Sequence, residues 1–230
     1  LKGHHNSILG VKSLTDNQFL SWSEDSLQVW NPTTDTQLSI REGVVQEVKI
    51  LSGGRVLSWS DNSLRIWDSQ TGEQLVAFKG HIEEIKGVQI FADGRLLSWS
   101  GDSLQIWDSQ SGKQLLVIDG FNPAIEGAKP LPNGQLLIWT RDSLGIWDSQ
   151  SGKQVSSLNG SPRWIRGVQS LDHGRLLTWS RNSLRIWDLK TGNQLVSHRQ
   201  HSIEYVKGAK VLSDGRILSW SDNSLRIWDS

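Results

Sequence analysis

A decapeptide that opens on Trp and closes on Trp-Asp recurs along the whole chain. Trp59-Ser60-Asp61-Asn62-Ser63-Leu64-Arg65-Ile66-Trp67-Asp68 returns from Trp99, Trp139, Trp179 and Trp220, with a looser copy from Trp22. Successive copies start 37, 40, 40, 40 and 41 residues apart. A fixed period of this length means that each copy is one supersecondary unit, which buries its apolar surface only against its neighbours. The 230 residues are therefore expected to form one domain, because stacked units share a continuous core.

The third copy shows what one unit builds. Ile85 to Phe91 alternates around Val88 and Ile90 as strand a, Ala92-Asp93-Gly94-Arg95 supplies turn chemistry, and Leu96 to Ser100 makes strand b. Gly101-Asp102 is a two-residue hairpin loop of a kind that tolerates positive φ. Ser103 to Asp108 is strand c, Ser109 to Lys113 turns, and Gln114 to Ile118 is strand d. No segment between Gly-bearing turns is long enough for a helix, and the apolar period is two. Leu97 and Trp99 share one face of strand b with Ser98 on the other, while Leu104 and Ile106 of strand c oppose Trp107. A lone unit would show Trp to water on both sides, so units must stack. Burying one indole removes roughly 200 Å² from water, worth on the order of 5 kcal/mol before entropy is counted. Twelve of the 13 Trp residues sit at these two recurring positions, where they read as cement between units.

The expected fold is all-β: a β-propeller of six blades, each a four-stranded antiparallel meander. Strands a, b and c occur six times and strand d five, since the last copy stops at Trp228-Asp229-Ser230. The chain has no Met and opens within a repeat, so it reads as an excised part of a longer protein with further blades or domains.

Gly80-His81 before strand a, Ser98 in strand b and Trp107-Asp108 closing strand c resemble the WD-repeat β-propeller family. The likeness covers all six copies. Trp-Asp ends five of them, and the first reads Trp30-Asn31. The resemblance implies a hydrogen-bonded network in which a loop His, a strand-b Ser and the strand-c Trp lock each blade. His4, Ser21 and Trp30 match in the first copy, His81, Ser98 and Trp107 in the third, and His201, Ser219 and Trp228 in the sixth. Copies two, four and five lack the His, and Ile138 replaces the Ser in copy four, so those blades are expected to lean on packing. The chain departs from the family in a b to c turn one residue shorter than usual, and in Trp99 and its equivalents, which occupy a position usually small in the family.

Composition narrows the functions. Lys and Arg number 24 and so do Asp and Glu, which gives no general attraction to nucleic acid or anionic membrane. No apolar run is long enough to span a bilayer and the first residues lack the apolar core of a signal peptide, so the expected location is cytoplasmic. Without Cys there is neither a disulfide nor a thiolate metal site. The six His residues show no metal-ligand spacing, and no phosphate loop or nucleophile elbow occurs. The expectation is a protein with no catalytic residues, no metal and no cofactor.

Recognition can be written where repeats differ. In a meander the b to c and d to a connections share one end, and there the copies vary while the other end is monotonous. Blades four to six bring Arg141, Arg163, Trp164, Arg166, Arg181, Tyr205 and Lys207 to that end, whereas Asp222, Glu24, Asp61, Glu83 and Glu84 form an acidic sector. Trp164 is the one Trp outside the repeating positions and Tyr205 the one Tyr. Trp, Tyr and Arg are enriched at binding hot spots, which makes these seven residues the candidate partner-binding set. The same residues can also be read as solvated loop with an incidental aromatic. The leading expectation is a non-catalytic scaffold or sensor module that binds a protein or peptide, of acidic character, on the b to c and d to a loop face. The alternative is a multivalent lectin-like propeller, which would repeat one exposed aromatic pocket per blade; here the aromatics at loop tips are unique.

Overall fold

Strand alternation decides which side chains meet, and the computed structural model shows the result for residues 3–14, 17–40, 45–158, 164–181, 183–199 and 205–229. Six antiparallel sheets follow one another along the chain, five with four strands and the last with three, each a meander in chain order. A short 3-10 turn at Asp172–Gly174 is the one helical element among the described residues. The fold is all-β, a six-bladed propeller-like repeat. We number the blades 1 to 6 and keep strand letters a to d. Blades 1 and 2 with most of blade 3 form one compact unit, and the rest of blade 3 with blades 4 to 6 forms a second.

In blade 3 strand d is Gln114–Ile118 as expected, but strand a is shorter, Gly87–Ile90. The cause is a loop that docks before it pairs: the Ile85 amide bonds the Asp61 carbonyl of the preceding blade, and only the next amide, Lys86, turns to Trp99. In blades 1, 4 and 5 a register shift marks the same place, just ahead of the strand-a glycine. The b to c turns also differ from expectation. Among the described turn residues only Asp61 takes positive φ. Elsewhere the turn closes through a backbone bond, as from Thr140 to Ser143 at 2.9 Å, and through paired hydroxyls such as Ser180 and Ser183, also 2.9 Å apart. Two short hydroxyl side chains at the mouth of the hairpin take the place of left-handed residues at its tip.

Blades 2 and 5 each present two apolar faces and bury both against different neighbours. In the first unit Leu57, Trp59, Leu64 and Ile66 of blade 2 pack with Val88, Leu96 and Trp107 of blade 3. In the second unit Leu137, Leu144 and Ile146 of blade 4 pack with Ile165, Leu176 and Trp187 of blade 5. The strand-b residues of one blade therefore meet the strand-c Trp of the next. Both recurring Trp positions are buried in the first junction, as Trp59 and Trp107, while in the second Trp187 is buried and Trp139 half-buried.

A polar pin fixes the strand-c indole. Trp107 Nε1 donates to Ser98 Oγ at 2.8 Å, and His81 Nε2 lies 2.6 Å from the same oxygen. Blade 1 repeats this with Trp30, Ser21 and His4. In blade 6 Trp228 donates to Ser219, while His201 lies outside the described residues. Blades expected to lean on packing for want of the His keep part of the pin as well: Trp67 still donates to Ser58 at 2.8 Å and Trp187 to Thr178 at 2.9 Å. A hydroxyl on strand b is enough to satisfy a buried N–H without the ring. Blade 4 is the exception, because Ile138 has no hydroxyl; there Phe121 fills the His position and packs on Trp147 with centroids 5.4 Å apart.

The strand-b Trp has a partner that the sequence reading missed. It stacks over a strand-a glycine in five blades, so that a Cβ on Gly10, Gly87, Gly127, Gly167 or Gly208 would fall 2.1 to 2.3 Å from the indole. This explains how a large ring fits on strand b: the volume is taken from the opposite strand.

Blade 1 adds a titratable arm to its pin. His4 Nδ1 lies 2.9 Å from Ser23 Oγ, which donates to Asp25 at 2.6 Å. Burial lowers the His4 pKa below its ordinary value of 6.5, against an opposing pull from Asp25. The Ser23 hydroxyl in turn holds the Asp25 carboxyl below the usual range. A neutral His4 is favoured by folding, so its contribution is full above pH 6.5 and is lost as pH falls through its lowered pKa. Asp25 and the other lowered carboxylates contribute at higher pH and lose their share only on further acidification. Thermal melts against pH are expected to fall in two stages, and His4→Gln should remove the upper stage. An unaltered upper stage in that variant would assign it to another group.

Candidate partner-binding site

One backbone bond, repeated from blade to blade, builds the variable end. The Trp164 amide donates to the Arg141 carbonyl at 2.9 Å and the Val206 amide to the Arg181 carbonyl at 3.1 Å. Each d to a loop is thereby tied to the b to c turn before it, which sets Trp164 beside Arg141 and Tyr205 beside Arg181. The side chains complete what the backbone starts. The Arg141 guanidinium lies 3.8 Å from the Trp164 ring centroid, and the Arg181 guanidinium 4.3 Å from that of Tyr205. Arg166 approaches Tyr205 at 5.4 Å, and Arg181 Nη2 also donates to the Tyr205 hydroxyl.

These residues wall a cleft of about 620 Å³. Of the seven sequence candidates, Arg141, Trp164, Arg166, Arg181, Tyr205 and Lys207 all line it; Arg163 lies outside the described residues. Three lining residues were not foreseen. Trp139 and Ile165 belong to the repeat core and reach the cleft from below. Glu126 occupies the same repeat position as Arg166 and Lys207, a correspondence visible in the alignment of copies. One grouping is corrected: Asp222, assigned by sequence to the acidic sector, forms an ion pair with Lys207, because strand pairing puts the b to c turn of blade 6 next to its own strand a.

Trp164 is held in an unusual way. Its φ of +63° lies in the left-handed region, which a bulky residue rarely adopts and which costs on the order of 1 to 3 kcal/mol. The residue is 48% exposed, so core packing does not account for a tryptophan there. The stack with Arg141 does, since a guanidinium over an indole is attracted to the ring face and keeps its in-plane N–H groups free to donate outward. Stacked arginines in a cleft are preorganised for planar anions such as carboxylates. Among the described residues four cationic side chains face Glu126 as the sole lining carboxylate, and the Lys207 charge is already met by Asp222.

The first unit carries the same arrangement with opposite charge. There Ile85 ties to the Asp61 carbonyl, and Glu84, at the repeat position of Trp164, accepts from Gln46 at 2.7 Å. The recurring aspartates are spoken for in another way. Asp68 accepts the amides of Thr71 and Gln70, while Asp108 and Asp148 accept first the hydroxyls and then the amides of Ser111 and Ser151, which lowers the pKa values of all three. Among the described residues no cluster of His, Asp and Glu is arranged to hold a metal ion, and no helix is long and apolar enough to cross a membrane.

No protein-family model and no curated protein sequence matches the chain. Among solved structures it is similar to the crystal structure of the computationally designed protein Ika8, with a TM-score of 0.78 and 20% identity, over 100% of this chain and 73% of that one. At that identity the likeness is one of fold.

Proposed function

We propose that this chain is a non-catalytic interaction module of WD-repeat type whose cleft on blades 4 to 6 takes an acidic, aromatic-bearing segment of a partner protein. The observation that carries the reading is the pair of stacked units, Arg141 on Trp164 and Arg181 on Tyr205, in one cleft. They offer apolar area and directed cationic donors together, the combination that concentrates affinity in few residues. The repeating Ser, Asp and Trp residues are used in turns and pins, which leaves the loop tips for recognition. A lectin-like reading finds less support, because the two loop-tip aromatics, Trp164 and Tyr205, converge on one cleft instead of recurring blade by blade.

The test is titration of a fluorescein-labelled peptide of alternating Glu and Tyr, followed by polarisation. Binding should weaken steeply with salt, and reversing Arg141, Arg166 and Arg181 to Glu should weaken it by at least about tenfold. The melting temperature should barely change, since exposed charges contribute about 0 to 1 kcal/mol each. Equal binding by the triple variant, with loss on reversing Glu24, Asp61 and Glu84 instead, would move the site to the acidic sector.

A further inference from the structure

Blade 4 departs from the repeat at three positions that line one cavity. Phe121, Ile138 and Gly145 stand where blade 3 has His81, Ser98 and Gln105. In blade 3 the Gln105 side chain accepts from Gln114 Nε2 at 2.8 Å, and blade 1 repeats the pair as Gln28 and Gln37, also at 2.8 Å. These amides pack against the loop glycine ahead of the His: a Cβ on Gly80 would lie 2.6 Å from Gln105 Oε1, and one on Gly3 2.5 Å from Gln28 Oε1. Blades 2, 5 and 6 carry Arg65, Arg185 and Arg226 at the Gln105 position, so blade 4 alone has no side chain there. At Gly120, its loop glycine, the backbone has turned to a φ of +82° and a Cβ would meet nothing within 4 Å. The result is a cavity of about 250 Å³ bounded by Gly120, Phe121, Gly145, Trp147 and Gln154.

Two donors face that cavity. The strand-c indole of every other blade donates to a strand-b hydroxyl, whereas Trp147 has only Ile138 opposite it. Gln154 has no glutamine to pair with and reaches the Ser156 carbonyl at 3.4 Å. A Cβ on Gly145 would lie 2.8 Å from Gln154 Nε2 and 3.0 Å from Trp147 Nε1, so both nitrogens border the space that the glycine leaves. Donors in a partly apolar cavity call for an acceptor oxygen. Asp119 is the one charged residue in the lining, which disfavours a carboxylate and suits a group that carries N–H donors of its own. We propose that this cavity binds a small neutral primary carboxamide, the group that Gln105 supplies in blade 3. Its oxygen accepts from Trp147 Nε1 and Gln154 Nε2, and the Phe121 and Trp147 rings, 5.4 Å apart, give it apolar cover. The site shares no lining residue with the cleft and does not depend on the function proposed for it.

Nicotinamide and propionamide test the proposal, titrated to millimolar concentration against protein with isotope-labelled tryptophan and followed by nuclear magnetic resonance. Trp147→Phe identifies the Trp147 indole N–H signal. Both amides should move that signal saturably, and nicotinate, a carboxylate of the same shape as nicotinamide, should leave it in place. Gly145→Gln should abolish the response by filling the site from within; Gly145 does not adopt positive φ, so its backbone admits a side chain. Ile138→Thr is the second variant. The Thr178 hydroxyl serves Trp187 in blade 5, and the same hydroxyl in blade 4 should weaken binding at least about tenfold by giving the indole an internal acceptor. A Trp147 signal that neither amide moves, or that moves equally in the folded variants, overturns the proposal, as does a response to nicotinate equal to that with nicotinamide.

Discussion

Trp107→Ala is expected to cost about 3 to 5 kcal/mol, the range for truncating a large aromatic side chain in a core. The indole is 1% exposed, lies edge-on to Phe78 with centroids 5.5 Å apart, and donates to Ser98. Its removal empties a space bounded by the strands of two blades, where no side chain can collapse to fill it. Trp107→Phe should recover part of the loss by restoring apolar volume while leaving the Ser98 hydroxyl without its donor, which separates packing from the pin. Trp164→Ala is expected to cost far less: the residue is half exposed, and alanine is no worse placed at positive φ. Denaturant midpoints of the three variants decide the matter. Should Trp164→Ala prove the most destabilising, that side chain is core and its place in recognition is lost.

The fold was legible because its signal is redundant. One repeat specifies strand alternation, turn chemistry and two-sided burial, and five further copies repeat the message, so the missing sixth strand d could be read from Trp228-Asp229-Ser230 alone. Local detail was less legible where side chains substitute for backbone. The b to c turns contain residues suited to positive φ, yet Ser and Thr hydroxyls at the turn mouth close most of them, and a count of turn formers does not reveal that competition. The cleft was legible in part. Strand order places the loops of blades 4 to 6 at one end, and the unique Trp164 and Tyr205 mark it. That Asp222 would turn to Lys207 depends on which neighbours a short hairpin faces. Sign of charge along the sequence carries no such information.

The variable end shows how one scaffold holds opposite chemistries. The amide to carbonyl bond that ties Trp164 to Arg141 is the one that ties Ile85 to Asp61, offset by a single residue. Because the backbone bond is indifferent to side chains, exchanging Arg and Trp for Asp and Glu leaves the blade junction intact. Charge at the loop tips can then diverge without loss of the core, while the residues that cannot diverge are those at the strand positions. The strand-a glycine is the clearest case of the latter.

Gly87→Ala is accordingly expected to destabilise by about 1 to 3 kcal/mol, the usual cost of overpacking a filled core. The new Cβ would lie 2.3 Å from Cζ2 and 2.6 Å from Cη2 of Trp99, so the ring must move, and it is 7% exposed with strands on both sides. Gly87 does not adopt positive φ, which means that backbone conformation does not demand glycine there and the whole penalty is steric. A double-mutant cycle isolates it. In a Trp99→Leu background, itself weakened by the loss of apolar volume, the same Gly87→Ala change should be neutral or stabilising by about 0.4 to 1 kcal/mol, because alanine restricts the unfolded chain more than glycine does. Blade 2 sets the limit on the effect. There Glu47 pairs with Trp59 without a glycine and the indole is still buried, so a ring can be accommodated by another route when the opposite side chain points outward. A penalty for Gly87→Ala that is the same in the unmodified chain and in the Trp99→Leu background would show that the glycine serves the backbone and not the ring.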